Sequence, residues 1–142
     1  MTNSRVDLFL SEFVRWASGQ SDIVAVALVG SYARGTATTT SDVDLVILTP
    51  QANKYLENRQ WLGVFGRIRA QNIEQYGPVT SIRVHYEDGL EVEYGLTNEQ
   101  WVDVPLDEGT HEVIAHGMKI LLERGPILSR HAPTLKSRPT RQ

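Results

Sequence analysis

Residues 30–44 read Gly30-Ser31-Tyr32-Ala33-Arg34-Gly35-Thr36-Ala37-Thr38-Thr39-Thr40-Ser41-Asp42-Val43-Asp44. This polar stretch follows the apolar run 23–29 and leads into a second run, 42–48. Their richness in β-branched residues predicts that both runs are strands. A glycine directly after a strand lets a ligand approach the backbone closely, because it has no Cβ. The amides from Ser31 onward are expected to open a short helical turn, whose free N–H groups favour an anion such as phosphate.

Asp42 and Asp44 form the second part of this pattern. Side chains at i and i+2 of a strand project to the same face, so the two carboxylates are expected side by side. Such carboxylates repel each other unless a hard cation lies between them, and magnesium prefers carboxylates together with substrate phosphate oxygens. Two ions about 4 Å apart can clamp the attacking and leaving oxygens of an in-line displacement. An isolated Asp-x-Asp is usually a solvated strand end, so it is the combination with Gly30-Ser31 that indicates nucleotide transfer.

The order Gly-Ser, ten residues, Asp-x-Asp resembles the signature of the nucleotidyltransferase superfamily that shares its fold with DNA polymerase β. The spacing is similar to that of minimal nucleotidyltransferases and of small antibiotic-modifying nucleotidyltransferases. The resemblance implies that Gly30 and Ser31 bind the triphosphate of ATP or another NTP, and that Asp42 and Asp44 bind two Mg²⁺ ions. Arg34 lies where such proteins often carry a basic residue near phosphate, and an ordinary surface arginine fits this position equally well.

The resemblance also implies a third carboxylate on a neighbouring strand, which helps to deprotonate the attacking hydroxyl. Glu91 and Glu93, in the segment 88–94, are the candidates. They share a face but lie roughly 6.6 Å apart along the strand, so only one of them can lie at the metal. The third acid of the family follows an Asp-Gly-x-x-apolar-acid-apolar pattern, which selects Glu93. The implied catalytic and metal-binding set is therefore Asp42, Asp44 and Glu93.

The remaining patterns predict an α/β (α+β) fold with a mixed sheet of four or five strands and helices packed on it. Helical periodicity predicts a helix over 5–18. Residues 51–76 are expected to be mostly helical and to end at Gly77-Pro78. Their expected buried stripe comprises Leu62, Phe65, Ile68 and Ile73. The runs 79–86 and 90–96 are expected to form a hairpin around Asp88-Gly89. An irregular segment at 101–106, a short helix at 110–116 and a final strand at 118–122 complete the prediction.

The length of 142 residues fits one domain, expected over 1–128, followed by a basic and flexible tail at 129–142. The tail holds four cations and no acid, so with a net charge of −3 the other 128 residues sum to −7. An acidic body is a poor platform for a phosphate backbone, so a duplex nucleic acid is not expected as a partner.

Other classes of protein are excluded by composition. The chain has no cysteine, which rules out disulfides, zinc–thiolate sites and cysteine nucleophiles and is compatible with a cytoplasmic location. The first residues do not resemble a secretory signal, and the longest apolar run, at 23–30, is too short to span a membrane.

The resemblance leaves three functions open. In the first, a nucleoside monophosphate, such as AMP from ATP, is transferred to a small molecule such as an aminoglycoside or lincosamide antibiotic. The chain shows no separate acceptor domain, so the acceptor pocket would come from a homodimer partner or from the helices expected in 51–76. In the second, a minimal nucleotidyltransferase antitoxin binds and adenylylates a HEPN-type toxin, which is a small helical protein. The third is a silent binding module, which has no need of the clustered carboxylates.

Overall fold

A six-stranded mixed sheet organises the part of the chain that the computed structural model describes, residues 4–102 and 117–129. The strands are β1 (Ala25–Val29), β2 (Val43–Leu48), β3 (Ile68–Tyr76), β4 (Val79–Tyr86), β5 (Glu91–Thr97) and β6 (Lys119–Glu123). Their order across the sheet is β3-β4-β5-β2-β1-β6. Strands β2 and β5 are parallel, and every other neighbouring pair is antiparallel.

One face of the sheet is covered by helix α1 (Ser4–Ser18) and by a 3₁₀ helix at Gln60–Phe65. The buried stripe of α1 consists of Val6, Phe9, Phe13 and Ala17. Aromatic rings fill the space between helix and sheet: Phe9 meets Phe65 edge to face, with ring centroids 5.5 Å apart. Burying each such ring stabilises the fold by about 1.5–3 kcal/mol, so this layer holds α1 and the 3₁₀ helix against the sheet.

The opposite face is apolar at one end and polar at the other. On β2 the alternation places Asp44, Val46 and Leu48 on this face. Val46 and Leu48 pack in a second apolar cluster with Trp101 and Leu128. At the other end of this face the side chains are acidic: Asp44 near the start of β2, and Glu91 and Glu93 near the start of β5. The candidate site lies at this end of the sheet.

The prediction that residues 51–76 are mostly helical is wrong. Helix α3 spans only Ala52–Glu57, and Ile68–Tyr76 forms strand β3. Gly77 has φ 58, which allows the tight turn that pairs Tyr76 with Val79. Hydrogen bonding to β4 outweighs the local helical pattern. Since β3 is an edge strand with mostly exposed side chains, it shows no apolar alternation, and Ile73 is 42% exposed.

The other predicted elements agree with the structure where it describes them. Strand β3 raises the number of strands to six, above the predicted four or five. The β4–β5 hairpin turns at Gly89, with φ 97, as predicted. The helix expected at 110–116 lies outside the described residues, as does the tail beyond Ser129. Within 4–102 and 117–129, no helix is long and apolar enough to cross a membrane.

Candidate active site

Strand register brings the site together. The parallel pairing of β2 with β5 places Asp44 beside Glu93, and the antiparallel pairing of β5 with β4 places Glu93 beside Arg83. Val29, at the end of β1, lies on the other side of Asp44. Paired residues on neighbouring strands point to the same face. The two acids and Arg83 therefore form one row across three strands.

The carboxylates of Asp42, Asp44 and Glu93 converge in this row. One oxygen from each lies within 4.8 Å of the others. Asp42 directly precedes β2 and projects to the same side as Asp44, two residues later. Glu91 is not part of this group, and its side chain is 32% exposed against 16% for Glu93. The structure therefore brings together the three acids that the sequence pattern selected.

The surroundings of Asp44 disfavour its charged form. Burial, followed by the charges of Asp42 and Glu93, raises the pKa of Asp44 to about 8 from its ordinary 3.8. Its Oδ1 is the one buried side-chain oxygen or nitrogen, among the residues described, that has no hydrogen-bond partner. Ionising Asp44 here therefore lowers the stability of the fold, because the charge gains no hydrogen-bond donor at Oδ1. A divalent cation would supply the missing partner and the missing positive charge, so these three carboxylates fit a magnesium site.

Arg83 is the cation that this group does have. Its Nη1 lies 2.9 Å from Asp42 Oδ2 and 2.7 Å from Glu91 Oε2, and its Nη2 lies 2.9 Å from Glu93 Oε1. Its Nε faces Glu74 at 3.3 Å. Burial would lower the pKa of Arg83, but hydrogen bonds to Glu91 and Asp42 outweigh burial and raise it. Arg83 thus carries its charge under all conditions in which the fold survives.

Gly30 brings the backbone against Asp44. Its φ of 76 is in the left-handed region, and a Cβ placed there would overlap Asp44 Oδ2 and lie 3.1 Å from Asp44 Cγ. Any residue with a side chain would therefore displace the carboxylate. Gly30 begins the short helix α2 (Gly30–Arg34), which ends at Gly35 with φ 77. The close approach of α2 to β2 thus depends on glycine.

Ser31 and Arg34 lie on α2 with different exposure. The Ser31 carbonyl accepts the Thr36 N–H at 2.9 Å, which closes the turn after the helix. The Ser31 side chain is half-buried near Gly30, whereas Arg34 is exposed at the far end of the helix. Arg34 forms no ion pair with any residue in the described ranges, so its cation is free to meet an anion. The turn from Thr38 to Ser41, with Thr38 N–H donating to Ser41 Oγ at 2.8 Å, leads into Asp42.

Arg83 and its contacts were not predicted from the sequence, although a signal for them exists. The Tyr86 N–H donates to the Leu90 carbonyl at 2.8 Å and closes the turn that contains Asp88-Gly89. Counting back from this turn pairs Arg83 with Glu93. A hairpin register taken from the turn would therefore have placed an arginine beside the third acid.

A family model described as nucleotidyltransferase domain matches residues 10–94. That range holds the second half of α1, the turn at Gly30, β2 and the first four residues of β5, and therefore Asp42, Asp44 and Glu93. No curated protein is significantly similar in sequence to this chain.

Solved structures share the fold at low sequence identity. An aminoglycoside 6-adenyltransferase from Bacillus subtilis superimposes on 71% of the chain with a TM-score of 0.53 and 18% identity. The GLD-2/RNP-8 complex matches 82% of the chain, with a TM-score of 0.52 and 17% identity. Cid1 in complex with the UTP analogue UMPNPP matches 80%, with a TM-score of 0.51 and 15% identity. The chain spans 37%, 39% and 33% of these structures, respectively. The fold is thus that of the polymerase β-like nucleotidyltransferases, as predicted.

Proposed function

Because the chain belongs to the nucleotidyltransferase domain family, we propose that it transfers a nucleoside monophosphate, AMP from ATP, to a hydroxyl of a small-molecule or protein acceptor. Pyrophosphate is the second product. The observation that carries this proposal is the convergence of Asp42, Asp44 and Glu93 around an unpartnered buried oxygen. This cluster of carboxylates lowers the stability of the metal-free protein, and a bound cation would explain why it is present.

In this proposal Asp42, Asp44 and Glu93 hold two magnesium ions. Bound there, the ions would supply positive charge next to the α-phosphate and the departing pyrophosphate. Asp44 is central because its strand pairs with β1 on one side and with β5 on the other. The strand β2 is paired on both sides, and its other face packs against α1. A carboxylate held on such a strand is positioned before the substrate arrives.

The triphosphate is proposed to lie along α2. Gly30 permits phosphate to approach the backbone, and the Ser31 hydroxyl and N–H donate to its oxygens. Arg34, exposed at the end of the same helix, neutralises the terminal phosphates. Helix α2 follows β1, on one side of β2, and Glu93 lies on β5, on the other side. In this proposal the nucleotide and the acceptor therefore approach from opposite sides of β2.

Glu93 is proposed to take the proton of the acceptor. The acceptor oxygen forms a bond to the α-phosphorus, and the bond between that phosphorus and the oxygen bridging to the β-phosphate breaks. The electron pair of the broken bond leaves with pyrophosphate, and the hydroxyl proton moves to a Glu93 oxygen. General-base assistance of this kind contributes roughly a hundred- to ten-thousand-fold to a rate.

The test is a matched pair of variants on β5. We expect Glu93→Gln to lower transfer or slow ATP turnover to pyrophosphate by roughly 10²–10⁴-fold while binding of ATP with magnesium persists. Glu91→Gln, which changes the same group two residues away, should stay within a few-fold of the parent protein at saturating magnesium. The reverse order would assign the base to Glu91. If both variants lost only a little transfer activity, and to the same extent, no third carboxylate would act as the base.

A further inference from the structure

Arg83 forms ion pairs with two kinds of carboxylate. Asp42 and Glu93 belong to the proposed metal ligands, whereas Glu91 and Glu74 do not. The nearest contacts to the first two are both 2.9 Å, so Arg83 binds oxygens that a metal ion would also need. The proposed ligand Asp44 receives no hydrogen bond from Arg83.

We propose that Arg83 is the resident counter-cation of the metal site, and that divalent ions bind by displacing its guanidinium from Asp42 and Glu93 onto Glu91 and Glu74. This inference rests on the proposed function, because it takes Asp42 and Glu93 to be metal ligands. Arg83 then sets how tightly the free protein binds metal. It is a positioning residue and does not touch the reacting atoms.

Electrostatics explains why such a residue is needed. Three carboxylates within 4.8 Å repel one another strongly in a partly buried site. The planar guanidinium spans Asp42 and Glu93 with separate nitrogens, which a point charge such as lysine does not do. Arginine keeps its proton at all relevant pH values. Arg83 can therefore release the Asp42 and Glu93 oxygens to a metal ion only if its side chain moves.

The surroundings of Arg83 permit that movement. Its Nη1 is already shared between Asp42 and Glu91, and Nε faces Glu74. A small rotation thus leaves Nη1 on Glu91 and Nε facing Glu74, while Nη2 gives up its contact with Glu93. The Arg83 side chain is 22% exposed, so water can solvate nitrogens that face outward.

A purely orienting role for Arg83 predicts the opposite result. If Arg83 only holds Asp42 and Glu93 in the correct rotamers, its removal would loosen the ligands and weaken metal binding. Displacement predicts tighter binding, because the competitor is gone. The sign of the change in affinity therefore distinguishes the two roles.

The experiment measures Mn²⁺ binding to the nucleotide-free protein from the electron paramagnetic resonance signal of the free ion. We expect Arg83→Gln to bind Mn²⁺ roughly ten- to a hundredfold more tightly than the parent protein. Arg83→Lys keeps the charge but loses the two-carboxylate fork, and it should also bind several-fold more tightly. Arg67→Gln removes a cation whose side chain is 89% exposed and whose Glu87 contact is 4.0 Å, and it should change little.

A double variant tests the role of the alternative partners. Glu91→Gln should weaken Mn²⁺ binding several-fold, because the displaced Arg83 guanidinium then lacks the Glu91 carboxylate as an alternative ion-pair partner. The same change in the Arg83→Gln background should have much less effect. An equal effect in both backgrounds would mean that Glu91 acts by charge alone, which overturns the displacement mechanism.

The remaining outcomes also decide the question. Unchanged or weaker binding by Arg83→Gln overturns the inference and leaves the metal site of the proposed function intact. Tighter binding by Arg83→Gln with unchanged binding by Arg83→Lys also overturns it, because charge alone would then be responsible. If neither the parent nor Arg83→Gln binds Mn²⁺, the proposed metal site itself fails. Should Arg83→Gln not fold, Arg83→Lys decides by the same criterion.

Discussion

Asp44→Asn is expected to stabilise the metal-free protein, and to do so more strongly as the pH rises. The substitution keeps the size of the side chain and removes its charge. In the folded protein, burial and the neighbouring Asp42 and Glu93 raise the pKa of Asp44 to about 8. In the unfolded chain this carboxyl ionises near its ordinary value of 3.8. Ionisation of Asp44 therefore lowers the free energy of unfolding of the parent protein, and asparagine removes this effect because it does not ionise.

The sign and size follow from proton linkage. Because the folded state retains the Asp44 proton to higher pH than the unfolded state, this carboxyl lowers stability progressively as the pH rises from 3.8 to about 8. Each pH unit is worth at most about 1.4 kcal/mol, so the interval from pH 5 to pH 8 gives at most about 4 kcal/mol. The side chain is only partly buried and water screens its charge, which reduces the expected change to about 2 kcal/mol.

The assay is urea unfolding of both proteins at pH 5 and pH 8 with EDTA present. We expect the free energy of unfolding of Asp44→Asn to exceed that of the parent protein by about 2 kcal/mol more at pH 8 than at pH 5. Asp22→Asn is the control. Burial would raise the pKa of Asp22, but hydrogen bonds from Lys54 and Tyr55 outweigh burial and lower it. Its effect is therefore constant over this interval, since the carboxyl stays ionised in both states.

Two results would refute this reasoning. A difference between Asp44→Asn and the parent protein that does not change with pH would show that Asp44 is not protonated in the fold. A variant destabilised by more than about 1 kcal/mol at pH 8 would identify Asp44 as a structural acceptor, because losing a partner of that kind costs about this much.

Three further predictions follow from the site and the tail. Gly30→Ala should abolish binding of magnesium with ATP, because its Cβ would displace the Asp44 carboxylate. The control is Gly35→Ala, which has nearly the same φ but no atom within 4 Å of the added Cβ, and it should lower stability without affecting binding. Equal losses of binding in the two variants would refute the contact argument. Magnesium with ATP should raise the melting temperature, since a ligand at a hundred times its Kd adds about 2.7 kcal/mol to the free energy of unfolding. An equal rise with ATP and EDTA would contradict the metal site. Removal of 130–142 should leave folding and nucleotide binding intact, and loss of either in a thermal melt would show that the tail is packed.

The grouping of Asp42, Asp44 and Glu93 was more predictable from the sequence than strand β3. Residues 30–44 combine a positive-φ glycine, a short polar loop and two acids at strand spacing, and each feature depends on contacts close in the chain. Glu93 could be chosen over Glu91 because the family pattern counts from Asp88-Gly89, and the hairpin turns at Gly89 as expected. Its position beside Asp44 depends on the parallel pairing of β2 with β5, which local patterns do not encode.

Strand β3 shows where local patterns mislead. Leu62 and Phe65 are buried as expected, but they lie in a 3₁₀ helix that ends before β3 begins. The strand itself is mostly exposed at the sheet edge, so no apolar alternation reveals it. Pairing with β4 decides its conformation, and Gly77-Pro78, which the sequence pattern favours as a helix end, forms a hairpin turn instead.

The most direct test of the account is the identity of the products when stoichiometric protein turns over ATP with magnesium, separated by anion-exchange chromatography. Nucleotidyl transfer breaks the bond between the α-phosphorus and the bridging oxygen, so the account predicts pyrophosphate in the parent protein and none in Asp44→Asn or with EDTA. The appearance of ADP with orthophosphate, or equal pyrophosphate from Asp44→Asn, would contradict it.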